Sequence, residues 1–257
     1  MLIRVNSWLL FFRRIGTKIK EDIMTRKKNS KEPSIDQFVK EQLEKWASAY
    51  SKDKAKADAH LPVITVAMEP GSGGSVMAQK IAERLGFSYF HRDIVEEISK
   101  TAKIRSTVVN TLEKERLSGV KDFISSLIED KYIHPDTYLK HLLEVISTIG
   151  EHGRAVIVGR GANFILPDED IFSVRVIAPV ETRIRNVALE YRVTSEEAKR
   201  RVIGRESRRK AFVRQSFNAN ITNPIHYNMT VNLGKMSIAA AVEAVIAAVM
   251  ATLVGNP

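Results

Sequence analysis

The chain contains no cysteine, which removes disulfide frameworks, thiolate metal sites and cysteine nucleophiles, so any metal must be held by oxygen or nitrogen. Aromatic residues are scarce, at 7%, and the basic segments lack the interleaved aromatics of nucleic-acid modules, so no specific nucleic-acid partner is expected. Acidic residues are outnumbered, 30 against 40 lysines and arginines, for a formal charge of +10. That sign favours phosphate-rich partners such as nucleotides, nucleic acid or an anionic membrane surface, and does not by itself choose among them. No apolar run reaches the ~20 residues of a membrane span. What is present is an ordinary globular balance, 44% hydrophobic and 27% charged over 257 residues, which excludes disorder throughout and suits one large domain with an appendage.

The first 60 residues read as a basic, partly helical extension. The apolar run Trp8-Leu9-Leu10-Phe11-Phe12 is too short for a signal-peptide core. With Arg13, Arg14, Lys18 and Lys20 as a polar face, residues 8–20 are a candidate for weak contact with a membrane surface. Met24 is a second candidate start. Pro33-Ser34-Ile35-Asp36 opens an expected helix to about Tyr50, and a polar stretch to His60 follows. Cytoplasm is the expected address; the sequence does not indicate an oligomeric state.

From residue 61 the texture alternates between strand and helix. Val63-Ile64-Thr65-Val66-Ala67 has the β-branched composition of a buried strand, ends in Pro70-Gly71-Ser72-Gly73-Gly74, and leads into a helix from Val76 stopped by Gly86. Ala155 to Gly159 and Val174 to Ala178 are two further buried strands. Residues 94–150 are mostly helical in pattern, and the Ala- and Val-rich tail from Ile238 to Val254 reads as a packing helix. The expectation is a mainly parallel sheet of about five strands in a three-layer α/β domain.

Two segments carry candidate chemistry. A glycine loop between a buried strand and a helix turns backbone N–H groups toward an anion, and the helix dipole adds about half a positive charge. Gly71, Ser72, Gly73, Gly74 and Ser75 are placed either for that or for a purely structural turn. The G-x-x-x-x-G-K-[ST] pattern is incomplete, with Met68 at its first glycine and Gly74 at its lysine, although Ser75 stands at the magnesium-binding hydroxyl. The second segment, Val158-Gly159-Arg160-Gly161-Ala162-Asn163, brings Arg160 to a strand's carboxyl end, where a guanidinium either clamps phosphate or pairs with a neighbouring carboxylate. An arginine-rich stretch follows: Arg183, Arg185, Arg192, a capped helix start at Thr194-Ser195-Glu196-Glu197, then Arg200, Arg201, Arg205, Arg208, Arg209 and Arg214. Positive charge in that position suits the transition state of phosphoryl transfer.

These residues resemble the cytidylate kinase-like family, a branch of the P-loop nucleoside monophosphate kinases. Ile64 to Gly74 is similar to its I-T-I-S-R-E-x-G-S-G-G loop, Phe90-His91-Arg92-Asp93-Ile94 to its second motif, and Val156 to Asn163 to its V-I-V-G-R-G-A-N. Val176 to Pro179 with Arg183-Ile184-Arg185 resembles its strand and lid entry, and Glu206 to Phe217, then Asn232, resemble its D-x-x-R, Y-x-R and Y-D-L-V-I-N segments. The resemblance spans about residues 62–250 and implies a P-loop NTPase-type domain over 61–257 with helical acceptor-binding and lid inserts. It further implies phosphoryl transfer from ATP, with Mg2+, to a nucleoside monophosphate, CMP or dCMP by name. On that reading Gly71 to Ser75 hold the donor phosphates and Ser75 the metal. Arg92, Asp93 and Arg160 bind the acceptor, and Arg183, Arg185, Arg209 and Arg214 neutralise the transferring charge.

The chain departs from the family pattern at three positions: Met68 where arginine is common, and Glu206 and Asn228 where aspartate is. Met68, Asn228 and the absent loop lysine motivate a second reading, a nucleotide-binding regulatory module without turnover.

Overall fold

A computed structural model describes residues 37, 39–41, 43–44, 62–130 and 135–255. The chain divides into two compact units, Met1–Glu41 and Gln42–Pro257. Residues 37 and 39–41 are helical in the first, Leu43 and Glu44 in the second. The candidate membrane-contact segment, residues 8–20, lies outside the described residues. Among those described, no helix is long and apolar enough to cross a membrane.

The larger unit contains five parallel strands, β1 (Val63–Met68), β2 (Ser88–Phe90), β3 (Ala155–Val158), β4 (Ile171–Ile177) and β5 (Met229–Asn232). They are ordered β2-β3-β1-β4-β5. Placing β1 at the centre pairs it on both sides, with Ile64 opposite Val156 on one side and Phe172 on the other. All but the last of its six residues are buried, which is why it reads as an unbroken apolar run.

The helices are α1 (Gly74–Leu85), α2 (Arg92–Lys100), α3 (Ala102–Val109), α4 (Lys114–Asp130), α5 (Thr137–His152), α6 (Ala162–Ile165), α7 (Val180–Tyr191), α8 (Ser195–Phe217) and α9 (Ile238–Gly255). Side chains alternate across a strand, so Ile64, Val66, Val156, Val158, Phe172, Val174 and Val176 share one face. There they join Met77, Ala78 and Ile81 of α1 and Ala241, Val242 and Val245 of α9 in one core. The other face is covered by α5, whose Leu142, Leu143, Ile146 and Ile149 are fully buried. The sheet therefore lies between two helical layers, the expected three-layer fold.

Local signals act where they were expected. Gly86 ends α1 in the left-handed conformation, φ 67, and the Thr194 side chain accepts from the Glu197 backbone N–H to start α8. The strand read as starting at Val174 begins three residues earlier, at Ile171, and the helical stretch before β3 is divided into α2 to α5. The departure at Asn228 has a structural explanation. Its Oδ1 accepts from the Ser173 backbone N–H at 2.7 Å and from the Ser173 hydroxyl at 3.0 Å, tying β5 to the early part of β4. A neutral amide serves that contact, remote from the carboxyl edge of the sheet.

Candidate active site: a glycine loop beside an arginine-lined cavity

The loop leaves β1 at Met68 and turns through Gly71, φ 78, and Gly73, φ 88, into α1. These two positive φ values are where glycine is required. At Gly71 a Cβ would also stand 2.5 Å from the Arg183 carbonyl oxygen. Ser72 is buried; its N–H donates to the Glu69 carbonyl, and its hydroxyl accepts from the Gly74 N–H at 3.4 Å. The Asn186 amide of α7 donates to the Gly71 carbonyl at 2.9 Å, anchoring the loop from outside.

Gly74 explains the missing lysine. A Cβ there would meet Met68 Cβ at 2.8 Å and its sulfur at 3.0 Å, so the Met68 side chain fills the space a residue at 74 would need. Restoring the pattern with Gly74→Lys is expected to lower the melting temperature by several degrees and to weaken nucleotide binding, measured by thermal denaturation with and without ATP.

Beneath the loop runs a chain of alternating charges. Glu69 accepts from the Ala178 N–H at 3.1 Å and faces Arg183 at 3.4 Å and Arg175 at 3.9 Å. Arg183 donates onward to Glu206 at 2.8 Å, and Lys210 meets the other oxygen of Glu206 at 2.7 Å. Burial pushes the Glu206 carboxyl up, but the bonds from Lys210 and Arg183 outweigh it and hold it below the ordinary range. The longer stem of glutamate at 206 thus reaches Arg183.

Beside the loop, at the carboxyl edge of β1 and β3, opens a cavity of about 360 Å³. Five arginines line it, Arg92, Arg160, Arg205, Arg208 and Arg209, against the single carboxylate of Glu96. Its apolar wall includes Met68, Val158, Phe212 and Ile221, giving the mix of hydrophobic lining and placed polar groups usual for small-molecule sites. The backbone reaches the cavity through three consecutive left-handed residues: Gly159, Arg160 and Gly161, with φ 76, 55 and 70. Arginine in that region is strained, a feature that concentrates at binding sites. A Cβ at Gly161 would lie 2.3 Å from the Phe217 ring, so the turn is held by packing. Arg160 pairs with Glu96, the carboxylate partner that a strand-end arginine was expected to find if it did not clamp phosphate. Glu96 also meets Lys100 at 2.6 Å.

Burial, then the neighbouring Arg92, lower Arg160 to about 10. Burial, then Arg92, Arg205, Arg175 and Arg160, lower Arg209 to about 10. Both stay charged at neutral pH, and the field that shifts them is one an anion relieves. Asp93 is pushed up by partial burial, yet hydrogen bonding and charge from Arg92 prevail and hold it low; it orients Arg92 through contacts of 2.7 and 2.9 Å.

Of the residues singled out in the sequence, Arg92, Arg160 and Arg209 meet in this cavity. Arg183 is buried among Glu69, Glu206 and the Ala178 carbonyl. Arg185 and Arg214 are exposed and do not line the cavity. Helical phase accounts for the last: residues 205, 208, 209, 212 and 213 lie on one face of α8, all in the lining, and 214 is off it. Sequence reading passed over Glu96 and Arg175, and gave no role to Glu69 and Asn163, which it had only inside the two glycine-rich motifs. A lone arginine within the apolar run Ile171-Phe172-Ser173-Val174-Arg175-Val176-Ile177 was the available signal for Arg175, which is 6% exposed.

A parallel sheet with a glycine loop after its central strand and a basic cavity at its carboxyl edge defines a P-loop kinase type of protein, a phosphotransferase. The profile of the cytidylate kinase-like family matches residues 63–235, well over half of the chain, and the chain belongs to that family. No curated protein matches it. Among solved structures, an uncharacterized protein from Eubacterium ventriosum superposes with a TM-score of 0.61 at 20% identity, covering 74% of this chain and 99% of that one. A gluconokinase from Sinorhizobium meliloti gives a TM-score of 0.45 at 12% identity, covering 76% and 94%. A shikimate kinase from Bacteroides thetaiotaomicron gives 0.41 at 12%, covering 75% and 98%. At these identities likeness bears on the fold alone, and the two kinases superpose too loosely to add to it.

Proposed function

We propose that this protein transfers the γ-phosphoryl group of ATP to a nucleoside monophosphate, CMP or dCMP. The observation that carries the reading is the cavity beside the glycine loop, where five arginines face one carboxylate. An acceptor phosphate and a donor phosphate brought together supply the negative charge this arrangement lacks.

In this reading the N–H groups of Gly71 to Ser75 and the start of α1 hold the donor phosphates. Arg160 and Arg92, the latter oriented by Asp93, grip the acceptor phosphate, which takes the place of Glu96 on Arg160 while Glu96 keeps Lys100. An acceptor phosphate oxygen forms its bond to the γ-phosphorus as the bond from the bridging oxygen breaks, and ADP leaves. No hydroxyl proton has to be removed, so no general base is needed. The arginines on the inner face of α8 lie where charge collects on the equatorial oxygens. Arg183 acts as a positioning residue that fixes Glu69 and the loop's underside, and Arg185 and Arg214 approach the donor if α7 and α8 close over it as a lid. Apolar walls at Phe212 and Ile221 exclude water, the competing acceptor.

Mg2+ fits the donor set modestly. Among the described residues there is no cluster of three or more acidic or imidazole ligands, whereas the Ser75 hydroxyl stands at the head of α1, 3.3 Å from the Met68 sulfur. Magnesium usually takes one or two protein ligands and completes its shell with nucleotide phosphates and water. Ser75 would be its protein ligand, and the ion would supply positive charge to offset that of the donor phosphates.

The test is ADP release with Mg-ATP against CMP, dCMP, UMP, AMP and GMP. Turnover with cytidine acceptors at a kcat/KM at least tenfold above the purine ones is expected. Turnover only with purine nucleotides, or none with any acceptor, overturns the proposal; tight ATP binding with no turnover favours the regulatory-module reading that Met68 motivates.

A further inference from the structure

The glycine loop and the arginine-lined cavity are built from different stretches of chain, and one buried side chain lies between them. Arg175 stands within β4 opposite Ala67 of β1 and is 6% exposed. Ala67 lines the cavity and Arg175 does not. On one side the Arg175 guanidinium faces the Glu69 carboxylate at 3.9 Å, and the Glu69 carbonyl accepts from the Ser72 N–H inside the loop. On the other side it lies 6.0 Å from the centre of the Tyr227 ring. A desolvated guanidinium needs an anion or a π-face to offset its burial. At 3.9 Å Glu69 is beyond a direct hydrogen bond, so Arg175 is held between the two groups and belongs to neither alone.

Tyr227 belongs to the segment between α8 and β5, and its hydroxyl donates to the Ile221 carbonyl at 2.8 Å. Ile221 and Asn163 both line the cavity. Burial pushes the Tyr227 hydroxyl up, and the Arg175 and Asn163 side chains beside it pull the other way. The Asn163 amide nitrogen is itself buried without a well-aligned hydrogen-bond partner among the described residues, which leaves it to follow Tyr227 or a ligand. Phe164, next to Asn163, stacks on Phe217 at 5.7 Å and meets the His226 ring edge-on at 5.2 Å. In this way α6, the end of α8 and the segment through Tyr227 pack as one wall of the cavity.

We infer that Arg175 and Tyr227 form a strut between the glycine loop and this wall, through which a nucleotide bound at the loop sets the position of Asn163 and Ile221 in the acceptor cavity. The inference rests on the phosphoryl-transfer reading above and deepens it, by naming how the two halves of the site sense each other. Phosphate at the loop shifts Glu69, Arg175 follows the carboxylate, and Tyr227 carries the wall with it. Neither Arg175 nor Tyr227 lines the cavity, so both are positioning residues. A coupling of this kind is reciprocal: the acceptor tightens ATP by the factor by which ATP tightens the acceptor.

The experiment follows the side-chain amide signal of Asn163 by NMR in the full chain as ATP alone is added, so it does not depend on which acceptor is correct. ATP is expected to move the signal in the wild type and to leave it in place in Arg175→Met and in Tyr227→Phe, while both variants bind ATP within threefold of wild type. Methionine keeps the apolar stem of Arg175, and phenylalanine keeps the ring and loses only the hydroxyl, so the second variant carries the test if the first does not fold. Arg175→Lys, with charge but no planar face, is expected to retain part of the movement. With an acceptor that turns over, Tyr227→Phe should raise the acceptor KM about fivefold, the scale of one lost hydrogen bond, with kcat and the ATP KM within twofold. A signal that moves equally in the wild type and Tyr227→Phe, or that stays still in the wild type with ATP bound, overturns the strut and leaves phosphoryl transfer standing. Movement as expected without turnover on any acceptor supports the strut and removes only the parent reading. Failure of the wild type to bind ATP removes both.

Discussion

Arg183→Ala is expected to destabilise the protein by about 3 kcal/mol, the lower end of the cost of breaking a buried charge network by removing one partner. The lower end applies because Glu69 and Glu206 retain 17% and 24% of their side-chain exposure, whereas Arg183 retains 9%. Removing the guanidinium leaves Glu69 facing only Arg175, at 3.9 Å, and leaves Glu206 with only Lys210. It also leaves the Ala178 carbonyl without the Arg183 Nε–H donor. At about 2–4 °C per kcal/mol for a unit of this size, the melting temperature should fall by roughly 6–12 °C. The pH dependence provides a second check. The native pKa of Glu206 is lowered, so its contribution is fully present above the ordinary carboxylate value near 4.3 and is lost as pH falls through the native value. Without Arg183 one of its two bonds is gone, and the variant should lose less stability between pH 5 and pH 3 than the wild type does. A fall in melting temperature below about 2 °C would show that water screens the network.

Arg160→Ala is expected to reduce kcat/KM for the acceptor by 10²-fold or more, with ATP affinity within threefold of wild type. Removing a charge-assisted, bidentate phosphate contact in a partly buried site has that scale. Alanine tolerates φ 55 no better than arginine does, and Glu96 keeps Lys100 as a partner, so the stability of the folded state should change little. The measurement is steady-state kinetics over the acceptor and ATP concentrations separately. Loss confined to the ATP term would move Arg160 to the donor side, and unchanged kinetics would make its pairing with Glu96 purely structural. Arg160→Lys, retaining charge without the fork, is expected to fall between.

Much of the site was legible because its parts are local. Gly71-Ser72-Gly73-Gly74 after an unbroken β-branched run is a strand, a turn and a helix start within a dozen residues, and Gly159-Arg160-Gly161 follows a strand in the same way. In both, steric restriction of φ dictates the residue type, so the geometry is written in neighbouring letters. The cytidylate kinase-like resemblance rested on such segments, and the match over residues 63–235 agrees with it. Less legible were β2 and β5, three and four residues long, because so few positions carry no clear alternation and their strand character comes from the neighbours they pair with. Nor could spacing say which arginine does what. Arg183 and Arg185 are two residues apart and face opposite ways; Arg209 lines the cavity and Arg214 does not.

What the sequence determined by itself was the strand, glycine-loop and helix unit after β1, the place of Arg160 at the carboxyl end of a strand, and an excess of positive charge; the first two follow from steric and hydrophobic rules acting within about ten residues. What only the tertiary structure decided was how that charge is shared out. Glu69 and Glu206 neutralise Arg183, Glu96 holds Arg160, Met68 closes position 74, and Arg209 arrives from 141 residues away to touch the Met68 carbonyl. Charge–charge energies depend on distance and burial and not on separation along the chain, so they exist only once the helices have packed on the sheet.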